Sequence, residues 1–178
     1  MKITSFLYLL ECAIFVISLI ISIPFLFRVK YLLKKERIDE AKALIHKCTN
    51  IWAKSLLKIA GVKVKVNGLE NIPNDKTVLF IGNHQGNFDI PIYLSQIPSL
   101  IGFVAKIETE KIPLIKTWMT LMKCVFMDRS NIRKSGEAII HSIKHIKAGY
   151  NMFASSSLTS FNGDLGSLID GSHMFTAS

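Results

Sequence analysis

The pattern of hydrophobic and polar positions begins with one long apolar segment. Residues 5–27 are almost wholly apolar, interrupted by Glu11, a few serines and Pro24. As a helix rising ~1.5 Å per residue, this segment would extend roughly 35 Å, which exceeds the ~30 Å hydrocarbon core of a bilayer. The pattern therefore predicts a membrane segment near the N-terminus.

A second helical pattern follows at residues 38–60, where apolar positions recur among lysines. Its apolar side chains could face lipid or the rest of the protein, with the lysines near headgroups. Glu11 would be costly deep in hydrocarbon unless it is neutralised or turned towards a partner. Two helices embedded in one leaflet are therefore an alternative to one spanning helix. In either case we expect residues 1–60 to anchor the chain to a membrane.

After residue 60 the pattern changes to short elements. Residues 62–66 alternate between valine and lysine, which predicts a strand with one buried face. Further strands are predicted at residues 77–82, 101–105 and 124–127, and helices at about 89–96, 108–122 and 133–147. Strands that alternate with helices predict an α/β domain. We expect this domain to occupy residues 61–178 and to contain a mixed sheet flanked by helices.

Composition agrees with a membrane-attached protein. Of the 178 residues, 49% are hydrophobic and the mean hydropathy is +0.34, which exceeds what a small soluble domain needs.

The scattered Cys12, Cys48 and Cys124 lack C-x-x-C spacing, which indicates a reducing compartment and no structural metal. His141 and His145 lie one helical turn apart, but without the glutamate of H-E-x-x-H they favour a solvated basic face over a metal site.

The net charge of +9 narrows the choice of partners. Arginines and lysines at positions 28, 30, 34, 35 and 37 follow the apolar segment, so the positive-inside tendency places the later residues in the cytoplasm. A secretory signal peptide fits poorly, because only Lys2 precedes the apolar region and no small-residue cleavage site follows it.

The sequence contains no recognisable nucleic-acid-binding motif that would explain the net positive charge. Anionic lipids and phosphate-bearing substrates therefore explain the charge better.

Candidate chemistry lies in residues 84–89, which read His-Gln-Gly-Asn-Phe-Asp directly after a buried strand. An imidazole with a pKa of about 6.5 can take a proton from a hydroxyl and return it to a leaving group. A carboxylate bonded to one ring nitrogen fixes the tautomer and stabilises the imidazolium. The spacing thus predicts His84 as a general base oriented by Asp89. In the alternative interpretation, His84 caps a turn and Asp89 is a helix N-cap.

Several segments follow one another at a suitable spacing for one known family. They are Asn-His-Gln-Gly-Asn-Phe-Asp at 83–89, Phe-Val-Ala-Lys-Ile-Glu at 103–108, Ile-Pro at 112–113, Trp-Met at 118–119 and Val-Phe-Met-Asp-Arg at 125–129. Through these segments, residues 62–129 resemble the PlsC-type glycerolipid acyltransferases, whose first motif reads N-H-x-x-x-x-D. Gly86 stands where that family often has serine.

The resemblance implies a reaction and its substrates. His84 would deprotonate the free hydroxyl of 1-acylglycerol 3-phosphate, which would attack the thioester of acyl-CoA or acyl carrier protein to give phosphatidate. Lys106 and Arg129 match basic positions that hold the acceptor phosphate. Asn83 and Gly86 complete the predicted substrate-binding residues. Membrane lipids are the other implied partners, and neither a metal nor a cofactor is implied.

Other interpretations remain open at this point. Lys106 could simply end a strand in water, and Arg129 could pair with Asp128. The family's third motif, F-P-E-G-T-R-S, is absent, because residues 153–160 read Phe-Ala-Ser-Ser-Ser-Leu-Thr-Ser. We therefore expect an α/β domain that is incomplete at its C-terminus. An inactive or lipid-binding remnant of the fold, and a lipid hydrolase in which water replaces the alcohol, are the alternative functions.

Overall fold

The structure, a computed structural model, describes residues 13–83, 86, 88–128 and 130–155. Its helices are α1 (residues 13–21), α2 (Ile23–Lys34), α3 (Ile38–Ile59), α4 (Asp89–Gln96), α5 (Pro113–Leu121) and α6 (Ile132–Lys147). Short 3₁₀ helices lie at Leu69–Asn71 and Ile107–Lys111. The predicted helices are thus present, with the predicted 108–122 helix divided where Pro113 begins α5.

Among the described residues, four strands form one sheet in the order β1-β4-β2-β3. They are β1 (Leu79–Gly82), β2 (Ile101–Lys106), β3 (Val125–Met127) and β4 (Asn151–Ser155). Each connection between successive strands contains a helix, as parallel pairing requires. All the pairings among the described residues are parallel. The predicted α/β class is confirmed, but the described part of the sheet is parallel and not mixed.

The sheet separates two hydrophobic cores. On one face, Phe80, Phe103 and Phe153 pack in the same cluster as residues of α2, α3, α4 and α5. On the other face, a smaller cluster that includes Met152 packs against α6 through Ala138. The domain therefore has three layers, with the sheet in the middle.

The N-terminal helices share the larger of these cores. Val29 of α2 and Ala53 of α3 are fully buried in the cluster that contains the strand phenylalanines. A single turn residue, Ser22, separates α1 from α2. Together they form a helix, Ala13–Lys34, that is long and apolar enough to cross a membrane by length and composition. Residues 5–12 of the predicted membrane segment lie outside the described residues.

The prediction of a strand at residues 62–66 is wrong, because the segment forms no ladder with a described strand. Val62 and Val64 are half-buried while Lys63 and Lys65 are exposed. The alternation of valine and lysine therefore correctly predicts which of these side chains face the protein. Alternating burial needs only one apolar neighbour, whereas a strand also needs a partner for its backbone groups. Here the apolar neighbours come from α4 and β1, which border a groove beside the segment.

Candidate active site

The predicted site residues follow the carboxyl ends of the strands. β1 ends at Gly82, β2 at Lys106 and β4 at Ser155. Gly82 lies opposite Ser155 in the register, and Lys106 lies opposite Met127, the last residue of β3. Because the strands are parallel, these ends meet at one edge of the sheet, where open α/β sheets bind their ligands. We call this the carboxyl edge.

Asp89 is held at the start of α4. The Gly86 amide N–H donates a hydrogen bond to Asp89 Oδ2 at 3.1 Å, and the Asp89 N–H donates to the Gly86 carbonyl at 3.2 Å. A carboxylate in the first turn also interacts favourably with the helix dipole. The helix N-cap is Phe88 and not Asp89, so the alternative interpretation of Asp89 as the N-cap is wrong by one position.

Two of the predicted key residues, His84 and Arg129, lie outside the described residues, and their roles stay predictions. The connection from β1 to α4 spans only residues 83–88, and Asn83 at its start is exposed. The predicted base is therefore tied by a short connection to the strand end and to the helix that carries Asp89.

Gly86, the departure from the family's serine, is exposed in this connection. A Cβ atom added to Gly86 would meet no atom of the described residues within 4 Å, and the φ angle of Gly86 lies outside the left-handed range. The backbone here therefore has room for a side chain. What Gly86 contributes is its amide N–H, which any residue except proline would also supply to Asp89.

Lys106 is exposed at the end of β2. This position fits both a phosphate-binding lysine and the alternative in which Lys106 simply ends a strand in water. Its carbonyl accepts a hydrogen bond from Thr109 Oγ1 at 2.7 Å, which begins the Ile107–Lys111 turn. In the sheet order, β4 lies between β1 and β2, which places the ends of β1 and β2 about 10 Å apart. Lys106 thus follows β2 at the same edge of the sheet at which α4 begins with Asp89.

Asp128 fixes the turn that follows β3. Its Oδ1 accepts hydrogen bonds from Ser130 N–H at 3.1 Å and Ser130 Oγ at 2.6 Å, and Lys134 Nζ lies 3.7 Å from Oδ2. The bonds from Ser130, with a smaller effect of Lys134, hold the pKa of Asp128 below its usual value. The carboxylate therefore stays ionised and keeps the turn between β3 and α6 in place.

Tyr93 is a candidate site residue that the sequence analysis missed. A Cβ atom added to Gly82 would lie 2.6 Å from the Tyr93 hydroxyl, so this hydroxyl lies directly against the end of β1. The Tyr93 ring packs on Phe153 with 4.3 Å between centroids. Burial, and then the charge of Asp89, raise the pKa of Tyr93, which keeps its hydroxyl protonated. The sequence does hold one signal for Tyr93: it lies four residues after Asp89, which places both on the same face of a helix.

An apolar groove with a volume of about 210 Å³ opens beside Tyr93. Residues 62–69 form one wall, and α4 with the β1 side chain Phe80 forms the other. Ile92 and Ile97 line the α4 wall together with Tyr93. The groove therefore connects the predicted but unpaired segment 62–66 to the helix that carries Asp89.

Comparison with known proteins identifies the class. The sequence profile of the Acyltransferase family matches residues 63–155, which is more than half of the chain. The matched residues include all four strands and the connections at the carboxyl edge. The chain therefore belongs to the Acyltransferase family.

Particular relatives lie within one group of these enzymes. The chain is 31% identical over 93 residues to the 1-acyl-sn-glycerol-3-phosphate acyltransferase of Borreliella burgdorferi, covering 52% of this chain and 37% of that protein. It is 37% identical over 98 residues to a probable 1-acyl-sn-glycerol-3-phosphate acyltransferase of Mycoplasma pneumoniae, covering 52% of this chain and 36% of that protein. The chain thus spans little more than a third of the length of these relatives.

A solved structure shows the same fold. The crystal structure of the 1-acyl-sn-glycerophosphate acyltransferase PlsC from Thermotoga maritima superposes with a TM-score of 0.63 and 25% sequence identity. The superposition covers 86% of this chain and 61% of that protein. The suspected PlsC-type family is confirmed.

Proposed function

We propose that this chain transfers a fatty acyl group to the free hydroxyl of 1-acylglycerol 3-phosphate and so forms phosphatidate. The observation that carries the proposal is the position of Asp89 at the carboxyl edge, fixed by the Gly86 amide in the short connection that contains His84. The names of the relatives and of the PlsC structure agree with this reaction.

In the proposed reaction, His84 accepts the proton of the acceptor hydroxyl while Asp89 stabilises the resulting imidazolium. The hydroxyl oxygen forms a bond to the thioester carbonyl carbon, and the carbon–sulfur bond then breaks. The departing thiolate takes the proton back from the imidazolium. Acyl-CoA or an acyl carrier protein is the donor, and the reaction needs neither metal nor cofactor.

The acceptor phosphate is assigned to the basic residues of the same edge. Lys106 projects from the end of β2 as an exposed cation. Arg129 directly follows Asp128, whose contacts to Ser130 and Lys134 leave the carboxylate already engaged. Asn83 and Gly86 lie in the connection next to the proposed base. Ammonium and guanidinium groups both bind phosphate oxygens through charge-assisted hydrogen bonds.

The groove beside Tyr93 is the proposed site of an acyl chain. Its walls are largely apolar, and one of its lining residues is Tyr93, whose hydroxyl lies against the end of β1. A chain in this groove would have its carbonyl near the edge that carries Asp89. Replacing Ile92 with tryptophan should shorten the groove and shift the preference towards shorter acyl chains.

Membrane attachment is assigned to the helix Ala13–Lys34. Its two serines face the domain, because the indole N–H of Trp52 donates to Ser18 Oγ at 3.2 Å and that of Trp118 donates to Ser22 Oγ at 2.9 Å. Its exposed apolar side chains include Val16, Ile17, Ile20, Ile21, Phe25 and Phe27. We propose that this apolar side contacts lipid and that the α/β domain lies on the cytoplasmic side.

An activity assay with and without the acceptor tests the function. The full chain in detergent micelles receives radiolabelled acyl-CoA, either with 1-acylglycerol 3-phosphate or alone. We expect labelled phosphatidate only when the acceptor is present. Release of free fatty acid without the acceptor would identify a hydrolase, and no turnover in either case would identify an inactive remnant. Both results would contradict the proposal.

A further inference from the structure

Two lysines and a histidine contact one tyrosine, Tyr150, at the end of the sheet opposite the carboxyl edge. Lys42 Nζ lies 4.5 Å from the centroid of the Tyr150 ring, and Lys123 Nζ lies 5.4 Å from it. The imidazole of His145 meets the ring at 77°, with 6.2 Å between centroids. We call Lys42, Lys123, His145 and Tyr150 the Tyr150 cluster.

The cluster is assembled by the tertiary fold. Lys42 lies on α3, Lys123 follows α5, and Tyr150 directly precedes β4. His145 lies in the last turn of α6 and its carbonyl accepts the Tyr150 N–H at 3.0 Å. The elements before β3 and β4 meet here, so the cluster marks the amino edge of the sheet. With five residues in β4 at ~3.3 Å each, it lies roughly 16 Å from the carboxyl edge.

The backbone around Lys123 is held tightly. A Cβ atom added to Gly102 would lie 2.9 Å from the carbonyl oxygens of both Met122 and Lys123, so only glycine allows this approach. Lys123 itself has a φ of 64°, in the left-handed region. Lys123 is therefore presented from a fixed turn and not from a loose surface loop.

Among the described residues, no acid forms an ion pair with the lysines of the cluster. Both Lys42 and Lys123 are half-buried. A tyrosine ring attracts each ammonium, but two ammoniums on the same ring repel each other. The pKa of His145 is lowered, first by burial and then by the charges of Lys123 and His141. The positive charge of Lys123 therefore also acts on this imidazole. A bound anion would relieve this repulsion.

We propose that the Tyr150 cluster is a binding site for a phosphate group, separate from the active site. Lys42 and Lys123 would contact its oxygens as cationic donors, and His145 would add a third donor when protonated. The phosphate can belong to a soluble phosphate monoester or to a lipid headgroup, since both present the same oxygens. The site does not depend on the proposed acyl transfer.

Calorimetric titration of the full chain with inorganic phosphate tests the site. The protein is held in detergent micelles at constant ionic strength, and Lys42→Gln/Lys123→Gln is compared with Lys47→Gln/Lys76→Gln. The two variants lose the same charge, but Lys47 and Lys76 are exposed and are not part of the cluster. We expect the cluster variant to bind phosphate at least about tenfold more weakly and the control variant to bind it normally.

A second measurement reports directly on the cluster. In histidine-labelled protein, NMR titration should show that phosphate raises the pKa of His145 in the wild type and in the control variant only. The charges that lower the pKa of His145 are those of Lys123 and His141. Its ring also meets Tyr150, which Lys42 contacts, and Lys144 directly precedes it on α6. If Lys123→Gln does not fold, Lys42→Gln alone carries both measurements.

The outcomes distinguish the proposal and the two phosphate sources. Equal weakening in both double variants, or an unchanged affinity in the cluster variant, would overturn the site. Flotation with vesicles of phosphatidylcholine, with and without phosphatidate, then identifies the source. Loss of the phosphatidate-dependent fraction in the cluster variant alone would assign a headgroup. Phosphate binding without a vesicle effect would assign a soluble monoester.

Discussion

The two edges of the sheet use charge in opposite ways. At the carboxyl edge, cations and carboxylates occur together, with Asp89 near the Lys106 strand end and Asp128 bound by Ser130 and Lys134. At the amino edge, Lys42 and Lys123 share one aromatic ring, and neither forms an ion pair with a carboxylate in the part of the chain that the structure describes. Mixed charges suit proton transfer, which creates and removes charge during the reaction. An unbalanced cluster suits the static binding of an anion.

The largest effect is expected from removing the charge of Asp89. Asp89→Asn should lower kcat about 100-fold or more, because an amide cannot stabilise the imidazolium of His84. The asparagine oxygen can still accept the Gly86 N–H, so the start of α4 should persist. Steady-state kinetics measures the effect, and His84→Ala should match it. Asp75→Asn, in an exposed loop, is the control. A fully active Asp89→Asn enzyme would reduce Asp89 to a structural role.

The contrast also shows what could be predicted from the sequence. Residues 83–89 are contiguous, so a site after β1 can be stated from the sequence alone, and the roles assigned to its residues stay predictions. Lys42, Lys123 and Tyr150 lie far apart along the chain, and only the three-dimensional packing brings them together. Sequence could therefore indicate a basic face at His141 and His145 but not the ring around which the charges meet.

The same distinction applies to the fold. Helix and strand types depend on local periodicity, so α3, α6 and the strands β1, β2 and β3 were predicted nearly at their observed bounds, whereas β4 was not predicted. Strand pairing depends on a distant partner. The alternation of apolar and polar residues therefore did not show that residues 62–66 form no ladder with a described strand, nor which strands pair. The third-motif region beyond Ser155 lies outside the described residues, and the expectations for it stay predictions.

The amino edge should tolerate less change at its backbone than a helix surface does. Gly102→Ala should lower the free energy of unfolding by ~1–3 kcal/mol, because the new methyl group meets two backbone carbonyls at 2.9 Å. Gly136→Ala on α6 is the matched control, since its methyl group would meet no atom of the described residues within 4 Å. This control should gain ~0.5–1 kcal/mol from reduced chain entropy. Thermal unfolding of both variants measures the difference. A stable Gly102→Ala protein would show that the turn at Lys123 can shift.

At the carboxyl edge, Lys106 should act on one substrate only. Lys106→Ala should raise the KM for 1-acylglycerol 3-phosphate by about tenfold and leave the KM for acyl-CoA nearly unchanged, because one charge-assisted contact to the acceptor is lost. Lys111→Ala removes an exposed lysine from the following 3₁₀ helix and serves as the control. Equal changes for both substrates would remove Lys106 from the phosphate site.

A smaller steric effect is expected where β1 meets Tyr93. Gly82→Ala should cost about 1 kcal/mol of stability, because its methyl group would lie 2.6 Å from the Tyr93 hydroxyl and 3.2 Å from Phe153 Cε2. Both obstacles are side chains, which can move more easily than the carbonyls beside Gly102. Adding Tyr93→Phe removes the nearer atom and should restore most of the stability. If the double variant unfolds at the same temperature as Gly82→Ala, the clash does not lie with the hydroxyl.

The smallest effect tests the amino edge through its pH dependence. The pKa of His145 is lower in the folded protein than in the unfolded chain, where it is about 6.5. The unfolded chain therefore binds more protons as the pH falls through about 6.5, and stability declines until the pH passes below the folded pKa. His145→Gln should remove this part of the decline between pH 7.5 and 5.5. His141→Gln should retain most of it, because burial is the largest cause of the shift. An unchanged decline in His145→Gln would assign the pH dependence to other groups. Added phosphate should reduce the decline in the wild type, because an anion beside Lys123 favours the protonated imidazole.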